Sequence, residues 1–316
     1  MEPRKLIKFG GSSHVVSIPN LWIKRNALNK GDYVYVEERI DELVISAKES
    51  KAKLGPKEIN INTDVKDIKT IESKIISSYI NNYDQINLKG ENISQIADKI
   101  REFLHKLVAL EIIEQTSNLI VAKDYLDIGS VSVNTLIRKI DIILKSMVDD
   151  VKTCVHHRSK ISKEHIFQRE QDVNRLTFLA FKVIKRALDD VHIAKNFEMN
   201  QIQLLYSWNL IGYMEDVADQ IKRICRYLHN MNDKIDSKNF IKIYEVLQKQ
   251  YDNTLKAYYT NDKELALNIL SQEVRIIKDC DNYLGKNNSI MVAKLMEKLK
   301  TMSVSDCNIS KMIIDM

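Results

Sequence analysis

Residues 204–221, which read LLYSWNLIGYMEDVADQI, set the pattern on which the second half of this chain is built. Their apolar side chains recur every three or four positions, so one stripe of an amphipathic helix contains Leu204, Trp208, Ile211 and Ala218. Glu215 falls within that stripe, and Asp219 lies one turn further along its edge. A core-facing carboxylate is unfavourable without a cation or a hydrogen-bond donor. Two interpretations follow: a metal ion held between helices, or a surface ion pair between Asp219 and Arg223 at i+4.

Acidic residues interrupt the apolar stripes of three other predicted helices. Glu170 lies on such a stripe with Asn174 one turn away, and Glu273 and Asp306 occupy similar places further along the chain. Acids at equivalent places in two repeats indicate a shared cause. Polar atoms on the inner face of a bundle need partners, and oxygen ligands favour hard or borderline cations.

The region from residue 130 to residue 316 is predicted to be entirely helical. It contains no proline, and its apolar periodicity predicts helices over residues 132–157, 162–190, 199–231, 236–259, 262–284 and 288–315. Short polar turns separate them, which is typical of an antiparallel bundle. We therefore predict two successive three-helix repeats, over about residues 130–233 and 234–316.

Composition is that of a globular protein with one to three domains. The chain has 316 residues, of which 44% are hydrophobic and 29% charged. It contains neither an apolar run of transmembrane length nor a signal peptide, so we expect a cytoplasmic protein without membrane insertion. The four cysteines, which form no CxxC motif, are Cys154, Cys225, Cys280 and Cys307. This spacing predicts neither a disulfide framework nor a cysteine zinc site.

Positive charge is concentrated at the N-terminus. The net charge is +5, and residues 1–31 contain one acid, Glu2, against the basic residues Arg4, Lys5, Lys8, Lys24, Arg25 and Lys30. In the same segment, residues 6–9 and 14–18 are predicted strands, and residues 33–37 and 43–46 a predicted hairpin around 40–42. Four short strands bury too little apolar area to be stable alone. Two copies are therefore expected to interlock.

This segment resembles the AbrB/SpoVT family of DNA-binding domains. The resemblance rests on RKLIKFGGSS at residues 4–13, SIP at 17–19, KGD at 30–32 and LVI at 43–45. It implies that residues 1–50 form a swapped-hairpin β-barrel shared by a homodimer that binds DNA. Carried over by position, the DNA-binding residues are Arg4, Lys5, Lys8, Ser12, Ser13 and His14, with further phosphate contacts from Lys24 and Arg25. The other interpretation is a barrel that only dimerises the chain.

Residues 57–128 are predicted to form a small α+β domain after a polar linker at 49–56. The pattern gives strands at 58–61, 85–88, 110–114 and 118–122, and helices at 65–80 and 93–107. This order suggests a small sheet with its helices on one face. The segment has no glycine-rich phosphate loop and no cluster of histidines or cysteines, so a spacer or docking role is expected.

The helical region resembles the PhoU family of phosphate-uptake regulators, which are built as two similar three-helix bundles. EDVADQI at residues 215–221 matches the family's third-helix motif, and QREQDVNRL at 168–176 matches its second-helix motif, with Asn174 where an Asp is usual. The resemblance implies a divalent or iron-type metal at Glu170, Asn174, Glu215 and Asp219. The second repeat departs further, since Met302 and Ile277 stand at acid positions. It implies only a weaker second metal site, at Glu273 and Asp306.

The three segments in this order resemble archaeal-type phosphate-uptake regulators. The expected fold is multi-domain: an AbrB-like swapped-hairpin β-barrel, a small α/β spacer and an all-α, PhoU-like pair of three-helix bundles. The expected function is a DNA-binding transcriptional regulator of phosphate uptake, whose helical domain senses metal, phosphate or a partner protein. The alternative is a scaffold that dimerises through the barrel and regulates a phosphate-transporter ATPase or a sensor kinase without binding DNA.

An enzyme is not expected. The chain lacks the G-x-S-x-G, Walker and HExxH motifs. His156 and His157 are adjacent, and neighbouring positions on a helix diverge by about 100°. They are therefore poorly placed to bind one metal together.

Overall fold

The computed structural model of the protein describes residues 3–38, 43–47, 56–64, 67–156, 163–190, 193–194, 197–231, 235–287 and 289–316. The chain divides into two compact units, residues 1–55 and residues 56–316. The predicted hairpin turn at 40–42 and most of the predicted linker at 49–56 lie outside the described residues.

The first unit consists of two small antiparallel sheets and one short helix. Its elements are β1 (Ile7–Phe9), β2 (Ser13–Val15), α1 (Asn20–Arg25), β3 (Tyr35–Glu38) and β4 (Leu43–Ser46). β1 pairs with β2, and β3 pairs with β4. Gly10 begins the first turn with a φ of 70°, a conformation that glycine adopts without the steric cost of a Cβ. Pro19 occupies the N-cap position of α1, without a side-chain capping hydrogen bond, and its fixed φ suits the entry into a helix.

None of the side chains described in the first unit is buried, over residues 3–36 and 43–47. The exposed fractions are 70% for Leu6, 68% for Phe9 and 87% for Tyr33. Large apolar side chains of a stable domain are normally packed. The unit therefore presents a surface that its own residues do not cover.

The second unit begins with a four-stranded sheet and two helices. The elements are β5 (Glu58–Asn62), α2 (Ile68–Ile80), β6 (Gln85–Lys89), α3 (Ile93–Leu104), β7 (Leu110–Gln115) and β8 (Leu119–Asp124). The strand order is β5-β6-β8-β7, with β5 and β6 parallel and the other pairs antiparallel. Its core includes Ile71, Ile75, Ile86, Leu88 and Ile100. The alternation of strands and helices predicted from the sequence is present in this layer.

Six long helices follow among the described residues, after a 3-10 turn at Ile128–Ser130. They are α4 (Val133–His156), α5 (Lys163–Asp189), α6 (Gln201–Asn230), α7 (Ser237–Thr260), α8 (Lys263–Lys286) and α9 (Ile290–Asp315). Each begins and ends within two residues of the bounds predicted from apolar periodicity. Helices α4, α5 and α6 pack against one another, as do α7, α8 and α9. The two groups join where α9 packs on α6 and α7 packs on α4.

Side-chain caps determine where these helices start. Asn200 and Gln203 form a reciprocal capping box at the start of α6. Asp236, Asp262 and Ser289 accept a backbone N–H at the starts of α7, α8 and α9. Among the described residues, no helix combines the length and apolar character needed to cross a membrane.

Candidate functional site

The β1–β2 hairpin carries different chemistry on its two faces. Lys8 pairs with His14, whereas Ile7 pairs with Val15 and Phe9 with Ser13. Residues directly opposite each other in an antiparallel pair share a face, and successive residues alternate between faces. Lys8 and His14 therefore form a basic face, and the other face is mainly apolar.

All eight residues that the AbrB resemblance assigns to DNA are exposed. The hairpin does not bring them all together. Ser13 lies opposite Phe9 on the apolar face, so it points away from Lys8 and His14. Arg4 donates from Nη1 to Oγ of Ser17, 3.2 Å away. Lys24 and Arg25 lie in the last turn of α1.

The candidate metal residues of the first helical repeat lie around a lysine. Nζ of Lys222 is 2.6 Å from Oε1 of Glu170 on α5 and 2.8 Å from Oδ1 of Asp219 on its own helix, α6. The second oxygen of Asp219, Oδ2, is 2.6 Å from Nη2 of Arg223. Nδ2 of Asn174 donates to Oε1 of Glu170 over 2.8 Å. The ion pair between Asp219 and Arg223 at i+4, one of the two interpretations of this helix, is present.

The pKa values of Asp219 and Glu215 are shifted in opposite directions in this cluster. Burial by itself would raise the pKa of Asp219, but hydrogen bonds and charges from Lys222 and Arg223 lower it below its ordinary value. The pKa of Glu215 is raised to about 7, first by burial and then by the negative charges of Asp216, Asp219 and Glu170. Glu215 is therefore partly protonated near neutral pH, while Asp219 is fully ionised.

This arrangement does not fit a bound metal ion. The oxygens that would be ligands already contact the ammonium of Lys222 and the guanidinium of Arg223. Within the described ranges, no three His, Cys, Asp or Glu side chains are grouped as metal ligands would be. Metal binding at Glu170, Asn174, Glu215 and Asp219 stays a prediction, and it requires Lys222 to leave the cluster. Lys222 lies three residues after Asp219. This spacing is visible in the sequence, but Lys222 is not part of the motif that identified Asp219.

The weaker second site contains one deeply buried acid. Asp306 is 1% exposed, and its Oδ1 has no hydrogen-bond partner among the described residues. Burial, together with the charge of Asp252, raises the pKa of Asp306 well above its ordinary value. Glu273 is half-buried, and it forms a side-chain hydrogen bond with Cys307. Binding of a metal by Glu273 and Asp306 also stays a prediction.

No family model, curated protein or solved structure matches this chain. The resemblances to the AbrB/SpoVT and PhoU families therefore rest on the quoted motifs and their order along the chain.

Proposed function

We propose that this protein is a homodimeric, DNA-binding transcriptional regulator of phosphate uptake. The observation that carries the proposal is the two-faced β1–β2 hairpin, which is basic on one side and exposed and apolar on the other. The basic side serves DNA, and the apolar side serves a second copy of the chain.

Dimerisation follows from the apolar face. Ile7, Phe9 and Val15 share that face and are 58%, 68% and 43% exposed in the single chain. Burying a large apolar side chain stabilises a protein by about 1.5–3 kcal/mol. A two-stranded sheet is marginal in water unless such a face is covered. The swapped-hairpin barrel implied by the AbrB resemblance supplies that cover from a second copy.

DNA binding follows from the charge on and next to β1. Arg4, Lys5 and Lys8 lie within five consecutive residues, and all three are exposed. A dimer would double this set, and Lys and Arg that neutralise phosphates make affinity strongly dependent on salt. Lys8 and His14 on the basic face would lie nearest the groove. Phosphate contacts set the register of the protein on the duplex, while base contacts provide specificity.

The link to phosphate uptake rests on the helical region. Its two three-helix groups and the EDVADQI motif on α6 support a PhoU-like sensory domain. The sensed signal would be metal, phosphate or a partner protein such as a phosphate-transporter ATPase or a sensor kinase. If the first unit does not bind DNA, the same helices support the alternative of a scaffold that acts by protein contact.

The test is DNA binding across a salt series. The probe is the region upstream of the protein's own gene and of neighbouring phosphate-transport genes, with scrambled DNA as competitor. We expect the wild type to bind specifically, and Arg4→Ala/Lys5→Ala/Lys8→Ala to lose about 100-fold or more in affinity with a shallower salt slope.

A matched control separates local contacts from net charge. Lys69→Ala/Lys74→Ala/Lys99→Ala also removes three positive charges, from exposed positions on α2 and α3. It should keep wild-type affinity. If both triple variants and the wild type bind every sequence equally weakly, the regulator proposal is wrong and the scaffold alternative is favoured.

A further inference from the structure

A cavity of about 350 Å³ lies beside α4, α5 and α6 in the first helical group. Two of its lining residues are cysteines, Cys154 on α4 and Cys225 on α6. The lining also includes Phe167, Arg226 and His229, all of which are exposed, so the cavity is open to solvent on that side.

The two thiols are neighbours although 71 positions separate them (225 − 154). Cys154 is 7% exposed and Cys225 is 4% exposed. A hydrogen bond joins their side chains, and it lowers the pKa of Cys154 while burial and the charge of Asp150 oppose that shift. The same hydrogen bond, together with burial, raises the pKa of Cys225 well above its ordinary value. A lowered pKa favours the thiolate, which is the nucleophilic form, so Cys154 is assigned the attacking role.

Charges around the cavity are mixed. Lys222, Arg226 and His229 are cations or potential cations at −3, +1 and +4 from Cys225 on the same helix. Lys222 is partly neutralised by Glu170 and Asp219. Asp150, whose charge disfavours a thiolate, is itself paired with Arg169. Glu164 is the acidic residue of the lining itself.

The other two cysteines differ from this pair in their exposed fraction and in their thiol neighbours. Cys280 is 0% exposed, and burial raises its pKa to about 12. Cys307 is 1% exposed, burial raises its pKa to about 12, and its sulfur accepts a hydrogen bond from Gln250. Neither of them has a second thiol among the groups that shift its pKa. They serve as internal controls for the reactivity of the first pair.

We propose that Cys154 and Cys225 are a redox-active pair that hydrogen peroxide oxidises to a reversible intramolecular disulfide. The Cys154 thiolate attacks one peroxide oxygen, the O–O bond breaks, and the other oxygen leaves as water after taking up a proton. Cys225 sulfur then attacks the resulting sulfenic acid, the S–S bond forms, and the hydroxyl leaves as a second water. In total, two thiols and one peroxide give one disulfide and two waters.

Formation of the crosslink requires the two sulfurs to approach each other. A disulfide has its sulfurs about 2.05 Å apart, closer than a thiol–thiol hydrogen bond. The crosslink would join these helices one turn from Lys222, next to the acidic cluster. Oxidation would therefore alter the part of the helical region proposed to sense a signal. The redox chemistry itself does not depend on that proposed function.

The test uses the full-length, native, reduced protein exposed to hydrogen peroxide and then quenched with an alkylating agent. Free thiols should fall from four to two per chain. Peptide mapping should find Cys154 joined to Cys225, with a mass loss of two hydrogens that dithiothreitol reverses. The midpoint of thermal unfolding should rise on oxidation, because the crosslink restricts the unfolded chain.

Variants assign the roles of the two sulfurs. Cys225→Ser should trap a sulfenic acid at Cys154, detected with a dimedone probe, whereas Cys154→Ser should give much less at Cys225. Cys280→Ser and Cys307→Ser should form the disulfide as the wild type does. The proposal is overturned if the wild type keeps four free thiols in peroxide, if the crosslink joins other cysteines or two chains, or if Cys280 and Cys307 are oxidised first. These outcomes are read from the wild type, so they stand even if a serine variant fails to fold.

Discussion

Replacing Lys182 with Ala is expected to lower the free energy of unfolding of residues 56–316 by about 3–5 kcal/mol. Lys182 lies on α5 and its side chain is 0% exposed. Its Nζ is 2.7 Å from Oδ2 of Asp124 on β8 and 3.1 Å from the carbonyl oxygen of Tyr79 on α2. Removing the ammonium would leave the nearly buried Asp124 carboxylate without its cation, although Oδ1 would still accept from the Leu126 backbone N–H. An uncompensated buried charge is the costly result of breaking such a pair.

This ion pair joins the α/β layer to the helices. The ammonium also lies 4.6 Å from the centre of the Tyr79 ring, in cation–π geometry. Burial lowers the pKa of Lys182, and the hydrogen bond and charge of Asp124 oppose the shift. A second link lies beside it, where Nδ2 of Asn82 donates to the Lys182 carbonyl oxygen over 3.2 Å. Lys182 on α5 therefore contacts a carboxylate on β8, and an aromatic ring and a backbone carbonyl on α2.

Urea unfolding followed by circular dichroism measures the effect. Arg186→Ala, which removes an exposed cation from the same helix, is the control and should change stability by less than about 0.5 kcal/mol. Combining Lys182→Met with Asp124→Leu should cost much less than the two single changes added together, because no buried charge is left unpaired. A loss below about 1 kcal/mol for Lys182→Ala would show that the pair does not anchor the layer.

Replacing Lys222 with Met is expected to destabilise the protein by about 2–4 kcal/mol and to create a site for divalent cations. The ammonium is the cation that holds Glu170 and Asp219 together across α5 and α6. The Glu170 side chain is only 6% exposed, so its charge would be left with little solvent. A divalent ion could then replace the lost charge, with Glu170 and Asp219 as its oxygen ligands.

Thermal unfolding with and without Mn²⁺ or Mg²⁺ measures this second effect. The cation should raise the unfolding temperature of Lys222→Met and leave that of the wild type unchanged. Arg223→Met is the matched control, since its side chain is 42% exposed and its pair with Asp219 should be worth less than about 1 kcal/mol. If the wild type is stabilised as much as the variant, the metal displaces Lys222 and the predicted metal site is present in the native protein.

Local patterns along the chain were enough to predict the secondary structure of the second unit. Apolar residues spaced three or four apart gave the six long helices, because that spacing alone places them on one face of a helix. The run of residues 6–9 likewise predicted a strand, which is β1 (Ile7–Phe9) in the structure. These features depend on neighbours within one or two turns, so they can be read without knowing the rest of the fold.

Contacts between distant residues could not be predicted in this way. The motifs suggested that Glu170 and Asp219 face each other. They did not indicate that Lys222 lies between them, because a lysine ammonium is also stable when it is solvated and unpaired. Lys182 is of a residue type that is almost never buried, and only a partner 58 positions away (182 − 124) makes its burial tolerable. Cys154 and Cys225 show no spacing motif at all.

The amino-acid sequence is therefore sufficient for the basic N-terminal strand, the small α/β layer and the six helices, since each follows from periodicity, caps and breakers. The cation among the acids, the buried Lys182–Asp124 pair and the cysteine pair depend on how the helices are rotated and aligned against one another. That alignment is set by packing over the whole second unit, where a shift of one residue on a helix turns a side chain by about 100° and would separate every one of these groups.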